Sequence, residues 1–426
     1  MILGSYRRGV VCLAVIVFLC SFPLFIQAEE VEVDFRTLSQ VQPIRGKGHR
    51  VPVNEYFHFE VEDLPKNMSI NADMRGFMEF PTYQDQFDIY QIALHMEPTS
   101  TFSLDGGRQW LTDGFDGGLM DGLKMAYAPE TGKVGVSLYG GVPRFTDDAH
   151  LAGVTNGLNA GWMLHLQQVE DTTGQLSLQY RKFDLERGDY RENDAIFAGL
   201  AASHQWSSLK MTPSLYSDVE YNVAGKNFET GAMGLDLYPH WRLALNFEGG
   251  YYNTDRQFGD VSLFDQYATD EMFQGRHAGE IKLGKGLRFF EDVAVQQFNV
   301  KGRGDKKGYR ADGGVGHFWS AAKLSSTAQY YYADSFGGTV HGAMFEWLYQ
   351  EVRKLELQLN VDVSTYSKIT NQKNNAVSVV GGARYEFNPR CFLMLGGEFN
   401  NNAWFDEEAR VTMQLQIGME KLKKKI

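Results

Sequence analysis

Residues 355–363 read Leu-Glu-Leu-Gln-Leu-Asn-Val-Asp-Val. Leu355, Leu357, Leu359, Val361 and Val363 hold one parity, and Glu356, Gln358, Asn360 and Asp362 hold the other. Side chains of a strand alternate between its two faces, so a period of two specifies a strand with one apolar and one wet face. Residues 411–420 repeat the pattern, with Val411, Met413, Leu415, Ile417 and Met419 set against Thr412, Gln414, Gln416 and Glu420.

Working outward, about twenty such segments fill residues 68–420, and the gaps between them alternate in length. Short gaps fall at Pro129–Lys133, Ser207-Ser208, Pro239-His240, Lys285-Gly286, Glu351–Arg353 and Pro389-Arg390. Longer polar gaps fall at Phe145–Ala152, Arg187–Asp194, Thr254–Met272 and Lys301–Lys307. Tight turns at one rim and long loops at the other are the signature of a barrel in an outer membrane. The expected fold is therefore all-β: an up-and-down antiparallel transmembrane β-barrel of about 20 strands, or 18 if two weak segments merge. An even number returns both ends to the periplasm. A propeller would show a repeat of about 40–50 residues, which the chain lacks.

The ends agree with export. Arg7 and Arg8 precede an apolar run from Val10 to Cys20, and Ile26-Gln27-Ala28 offers a cleavage position, so residues 1–28 read as a signal peptide. An uncleaved anchor is the alternative, disfavoured by the short core and by Pro23. Residues 29–67 are weakly periodic and read as a periplasmic segment, possible within the lumen, in which 56–61 is either a further strand or part of a plug. The barrel is expected over 68–420, and residues 421–426, Lys-Leu-Lys-Lys-Lys-Ile, form a basic periplasmic tail.

Composition narrows the function classes. Only Cys391 follows the signal, which excludes a disulfide within the mature chain. No Cys-x-x-Cys-His run attaches a haem, and no cofactor is expected. A formal net charge of −12 disfavours nucleic acid as a partner. Ser203 and His204 are adjacent, so a strand points them to opposite faces, the wrong geometry for a nucleophile and its base. The chain is read as no enzyme.

Alternation places polar strand residues in the lumen, where rings of charge set ion selectivity. The pore-lining candidates on this ground are Arg181, Arg242, Glu248, Glu356, Gln358 and Asp362. A denser group is Gly106-Gly107-Arg108-Gln109-Trp110, followed by Asp113-Gly114-Phe115-Asp116-Gly117-Gly118 and Asp121-Gly122. Arg108 sits among Asp105, Asp113, Asp116 and Asp121 in sequence, a charge group that could hold an infolded loop against the wall. The spacing of the aspartates is not that of a calcium loop, and no metal is expected.

This stretch resembles the Gly-Arg-Gln … Asp-Gly pattern of bacterial outer-membrane porins and of alginate-export-type barrels. The resemblance covers about twenty residues and the overall architecture. It implies an early strand, a loop near the constriction and Arg108 projecting into the lumen. The chain departs from that pattern at its end, where such barrels usually close on an aromatic residue and this one runs through Met419 into lysines. The expected protein is a diffusion channel for small hydrophilic or ionic solutes in the outer membrane of a Gram-negative-type bacterium, with membrane lipid around it. The alternative is a sleeve for a periplasmic partner protein, as in a porin-cytochrome electron conduit or a polysaccharide-export channel.

Overall fold

The computed structural model describes residues 30–419 apart from 45–47, 66, 81–83, 112–117, 131–132, 145–155, 170, 185–194, 210, 254–268, 301–303, 336–337, 351–353, 368–374 and 403–407. The first strands are β1 (Glu30–Ile44), β2 (Gly48–Leu64), β3 (Met68–Phe80), β4 (Gln84–Thr99), β5 (Phe102–Leu111), β6 (Gly118–Tyr127) and β7 (Val134–Arg144). Next come β8 (Asn156–Val169), β9 (Thr172–Asp184), β10 (Ala195–Gln205), β11 (Ser214–Asn222), β12 (Asn227–His240), β13 (Leu243–Tyr252), β14 (Thr269–Gly284) and β15 (Leu287–Val300). The last are β16 (Gly304–Trp319), β17 (Leu324–Ser335), β18 (Gly338–Gln350), β19 (Leu355–Tyr366), β20 (Asn375–Asn388), β21 (Cys391–Asn401) and β22 (Glu408–Met419).

Every strand pairs antiparallel with its successor, and β1 pairs with β22 from Val33↔Met419 to Val41↔Val411, which closes the sheet. Closure removes the exposed edges, so the backbone groups of the wall pair without water. The barrel has 22 strands rather than about 20. The two additional strands are β1 and β2, drawn from the segment that sequence assigned to the periplasm or lumen.

The connections β2–β3, β4–β5, β8–β9, β12–β13, β14–β15 and β20–β21 are tight and share one rim with both described ends of the chain. The connections β7–β8, β9–β10, β13–β14 and β19–β20 are longer and lie at the other. Trp206, Tyr238, Trp241, Trp319 and Trp347 stand near the tight-turn rim, all at least one-third exposed. Trp110, Phe228 and Tyr309 stand toward the other. Amphipathic rings favour the headgroup level, and these two belts mark the membrane boundaries.

Leu123 at 57%, Met233 at 61% and Val411 at 58% exposure belong to the outward rows between the belts. A soluble protein would bury such side chains, whereas lipid is their natural solvent here. A closed barrel of even strand number with such a belt is an outer-membrane β-barrel. Buried apolar packing is concentrated on β2–β4, where Phe59, Val61, Leu64, Ala72, Met74 and Ile89 form one cluster.

The wall also creases at one place. Gly107, Gly122 and Gly141 are direct cross-strand partners on β5, β6 and β7. Gly107 has φ 120°, and a Cβ there would lie 2.2 Å from the Ile92 carbonyl oxygen. A Cβ on Gly122 would lie 2.3 Å from the Gly140 carbonyl oxygen. The backbones approach so closely that only glycine fits.

Candidate functional site

The lumen is the candidate site, and register decides which side chains reach it. Directly paired residues share a face, so a row can be followed around the wall. Tyr216, Gly234, Glu248 and Arg276 form one row, and Arg310, Ala294 and Arg276 belong to its continuation. The intervening rows carry Leu215, Met233, Phe247, Phe273 and Val293, all exposed and apolar. The polar rows therefore line the lumen.

Two tyrosines reach across a glycine to a carboxylate two strands away. Tyr216 on β11 donates to Glu248 Oε2 on β13 at 2.7 Å. Its ring crosses Gly234 on β12, where a Cβ would meet Tyr216 Cζ at 2.1 Å. Tyr331 on β17 crosses Gly342 on β18 and donates to Asp362 on β19 at 2.8 Å. Asn246 donates to Asp236 Oδ1 at 2.8 Å. The donors to these three acids are neutral, so the carboxylates keep their charge for the lumen.

Between them lies a denser ionic centre. Arg276 donates through Nε at 2.8 Å and Nη2 at 2.5 Å to Asp292 Oδ2. Arg310 Nη2 reaches the same oxygen at 3.2 Å and its Nε lies 3.6 Å from Asp312 Oδ2. Asp292 and Asp312 are direct cross-strand partners, an arrangement that repels unless cations intervene. The two arginines supply them.

Elsewhere around the lumen the arginines are similarly held. Arg75 donates from Nε to Asp88 Oδ2 at 2.9 Å, and Gln86 donates to Asp88 Oδ1 at 2.9 Å. Arg410 Nη2 lies 2.9 Å from Glu408 Oε1. Arg181 donates to Gln179 Oε1 at 2.7 Å and stacks 4.9 Å from the Phe197 ring. Gln179 in turn donates to Asn159 at 2.8 Å. Such bonds fix long side chains against the wall instead of letting them cross the pore.

Of the residues singled out by sequence, Arg181, Glu248, Glu356, Gln358 and Asp362 fall in the polar rows by register. Glu248 and Asp362 serve the two tyrosine bridges, whereas Glu356 accepts from Gln350 at 3.2 Å. Asp113 and Asp116 lie outside the described residues. Arg242 is a correction: it sits in the β12–β13 turn, with its guanidinium 4.5 Å from the Trp241 ring, and not on a strand face. The turn falls two residues later than the Pro239-His240 position read from sequence.

Arg108 is the larger correction. It pairs in register with Ile92 and Asp121, in rows that continue through Leu94, Gly106, Leu123 and Met125. Those rows face lipid, so Arg108 and Asp121 lie on the outer face and do not project into the lumen. Their pairing itself holds: Nε donates to Oδ1 at 2.6 Å and Nη2 to Oδ2 at 2.9 Å. Nη1 donates to the Ile89 carbonyl at 2.9 Å, beside the bulge where Tyr90 has no partner on β3. The side chain is 11% exposed. A sheltered guanidinium bonded through all three of its nitrogens is what makes a charge tolerable on that face.

Ser203 bonds Thr173 and His204 bonds Thr172, partners on opposite faces of the β9–β10 pair, so the two do not converge. The tyrosine bridges and the Asp292 centre had no sequence signal beyond polar parity, because both depend on the register of strands that sequence alone does not align.

No protein-family profile and no curated protein matches this sequence. Among solved structures, the ferric citrate transporter FecA in its unliganded form is similar over 92% of this chain and 79% of its own, at 10% identity and a TM-score of 0.51. The P pilus usher PapC translocation pore aligns over 91% of this chain and 99% of its own, at 10% identity and a TM-score of 0.47. OccK5 (OpdH) of Pseudomonas aeruginosa aligns over 92% and 97%, at 8% identity and a TM-score of 0.46. At such identities the likeness is one of fold, that of an outer-membrane β-barrel.

Proposed function

We propose that the protein is a porin-like channel through which small hydrophilic and ionic solutes diffuse, with a leaning toward cations. The observation that carries this reading is the split of the wall into apolar outer rows and polar, charged lumen rows around a closed barrel of 22 strands. Strands about 4.8 Å apart and tilted by about 40° enclose a backbone diameter of ~40 Å. A lumen so wide holds water. β1 and β2, from the segment read as periplasmic or within the lumen, pair with the wall strands β22 and β3.

The cation leaning rests on Asp236, Glu248 and Asp362, whose hydrogen-bond donors are neutral. The arginines nearby lie against carboxylates. The same width supports a second reading, the sleeve, since ~40 Å of backbone diameter admits a small folded domain. Planar-bilayer recording of the purified barrel tests the first. Ohmic conductance that falls as sugars of increasing size are added supports a diffusion channel. A closed barrel that co-purifies with a stoichiometric periplasmic protein overturns it in favour of the sleeve.

A further inference from the structure

One carboxylate stands in the lipid-facing rows without the shelter that Arg108 enjoys. Glu291 pairs in register with Gly279 and Gly313, and its neighbours along β15 in the same parity are Phe289 and Val293. Its side chain is 60% exposed, and His277 Nε2 lies 3.3 Å from its Oε1. His277 Nδ1 lies 3.1 Å from the Asn246 carbonyl oxygen, which accepts its proton. With Nδ1 donating there, Nε2 of the neutral ring faces the Glu291 carboxylate as a second acceptor, and the two can share one N–H donor. A lone carboxylate on the lipid-facing surface is disfavoured unless something polar meets it.

The surroundings are shaped as well as charged. His277 stacks on Phe247 at 4.6 Å, forming a ridge on the outer face. On one side of the ridge a groove of about 1000 Å³ runs over Gly279, Gly313, Ala328 and Ala343. On the other a groove of about 590 Å³ runs over Gly249 and Gly275, which face open space. Tyr330, 55% exposed, stands across Gly313 from Glu291. Glu291 follows the tight turn Lys285-Gly286 by five residues, or ~13 Å along the tilted wall. That distance is within reach of the headgroups of the leaflet at the tight-turn rim.

We propose that this face binds one phosphoethanolamine-headgroup phospholipid, with an acyl chain in each groove. The ammonium donates to the Glu291 carboxylate and to His277 Nε2, and the phosphate accepts from the Tyr330 hydroxyl, whose oxygen also lies 3.4 Å from His341 Nδ1. The headgroup ammonium supplies the donor that the carboxylate and Nε2 share, and two grooves match two chains. A second copy of the chain fits less well, because it must bring a cation to this level. Of the described outward cations, Arg108 is bonded to Asp121, whereas Lys182 and Lys307 lie toward the long-loop rim. The inference depends on the lipid-facing assignment and not on channel activity.

The test is lipid retention by the intact barrel. Protein reconstituted in nanodiscs of equal phosphatidylethanolamine, phosphatidylglycerol and phosphatidylcholine is extracted into mild detergent and weighed by native mass spectrometry. One phosphatidylethanolamine should be retained about tenfold over the other two, a difference of about 1.4 kcal/mol. Glu291→Gln and Gly313→Leu, the second filling a groove, should each abolish the preference, with heat-modifiable gel mobility reporting that both are folded. Equal retention of the three lipids by the wild type overturns the proposal. So does a dimer or trimer that survives delipidation and dissociates in Glu291→Gln, which would make this face an interface between copies.

Discussion

Arg108 and Arg276 each make a two-nitrogen contact with an aspartate, on opposite faces of the wall. Arg108 and Asp121 lie in lipid-facing rows, so removing the cation strands a carboxylate where water cannot reach it. Arg108→Ala should lower stability by about 3–5 kcal/mol, the usual penalty for breaking a sheltered pair. Arg108→Leu combined with Asp121→Leu should recover most of it, and neither change should alter conductance. Urea unfolding in micelles gives the energies, and an altered conductance in Arg108→Ala would return the side chain to the lumen. In the lumen Arg276→Ala should cost only about 1–3 kcal/mol, since Asp292 keeps Arg310 as donor. It should instead raise the cation preference, measured as a shift in reversal potential.

At the scale of the strand, parity is the quantity under test. Leu357 is outward and 42% exposed, whereas Gln358 lies on the lumen side. Leu357→Arg should destabilise by about 2–4 kcal/mol, and Gln358→Arg should fold and shift selectivity toward anions. Equal damage from both substitutions would refute the face assignment of β19. The same parity made β3 to β22 legible in the sequence, because an apolar row in lipid must be nearly continuous. It faded in β1, whose outward row passes from Phe35 through Thr37 and Ser39 before Val41. Those residues are tolerated because Thr37 and Ser39 pair with Leu415 and Met413, whose side chains maintain the apolar surface across the seam. Arg108 was placed in the lumen by the resemblance and not by its parity. Phe102, Leu104, Gly106 and Trp110 share its parity, and its aspartate lies opposite on β6.

For the whole molecule, the rims fix orientation and the width fixes selectivity. In a Cys391→Ser background, Lys226→Cys in the β11–β12 turn should react with an impermeant thiol reagent on intact cells, and Ser207→Cys should not. The reverse pattern would invert the barrel. The lumen field follows from the same dimensions. The Debye length is about 10 Å at 0.1 M salt and 3 Å at 1 M, against a backbone radius of ~20 Å. Only ions in a layer near the wall sense Asp236, Glu248 and Asp362 at low salt, and almost none do at high salt. The cation-to-anion permeability ratio should therefore be about 2–3 at 0.1 M and approach about 1 at 1 M. Replacing all three acids with their amides should remove the low-salt preference while leaving conductance at 1 M unchanged. Anion preference in the wild type at 0.1 M would show that the tethered arginines, and not these carboxylates, set the field along the pore.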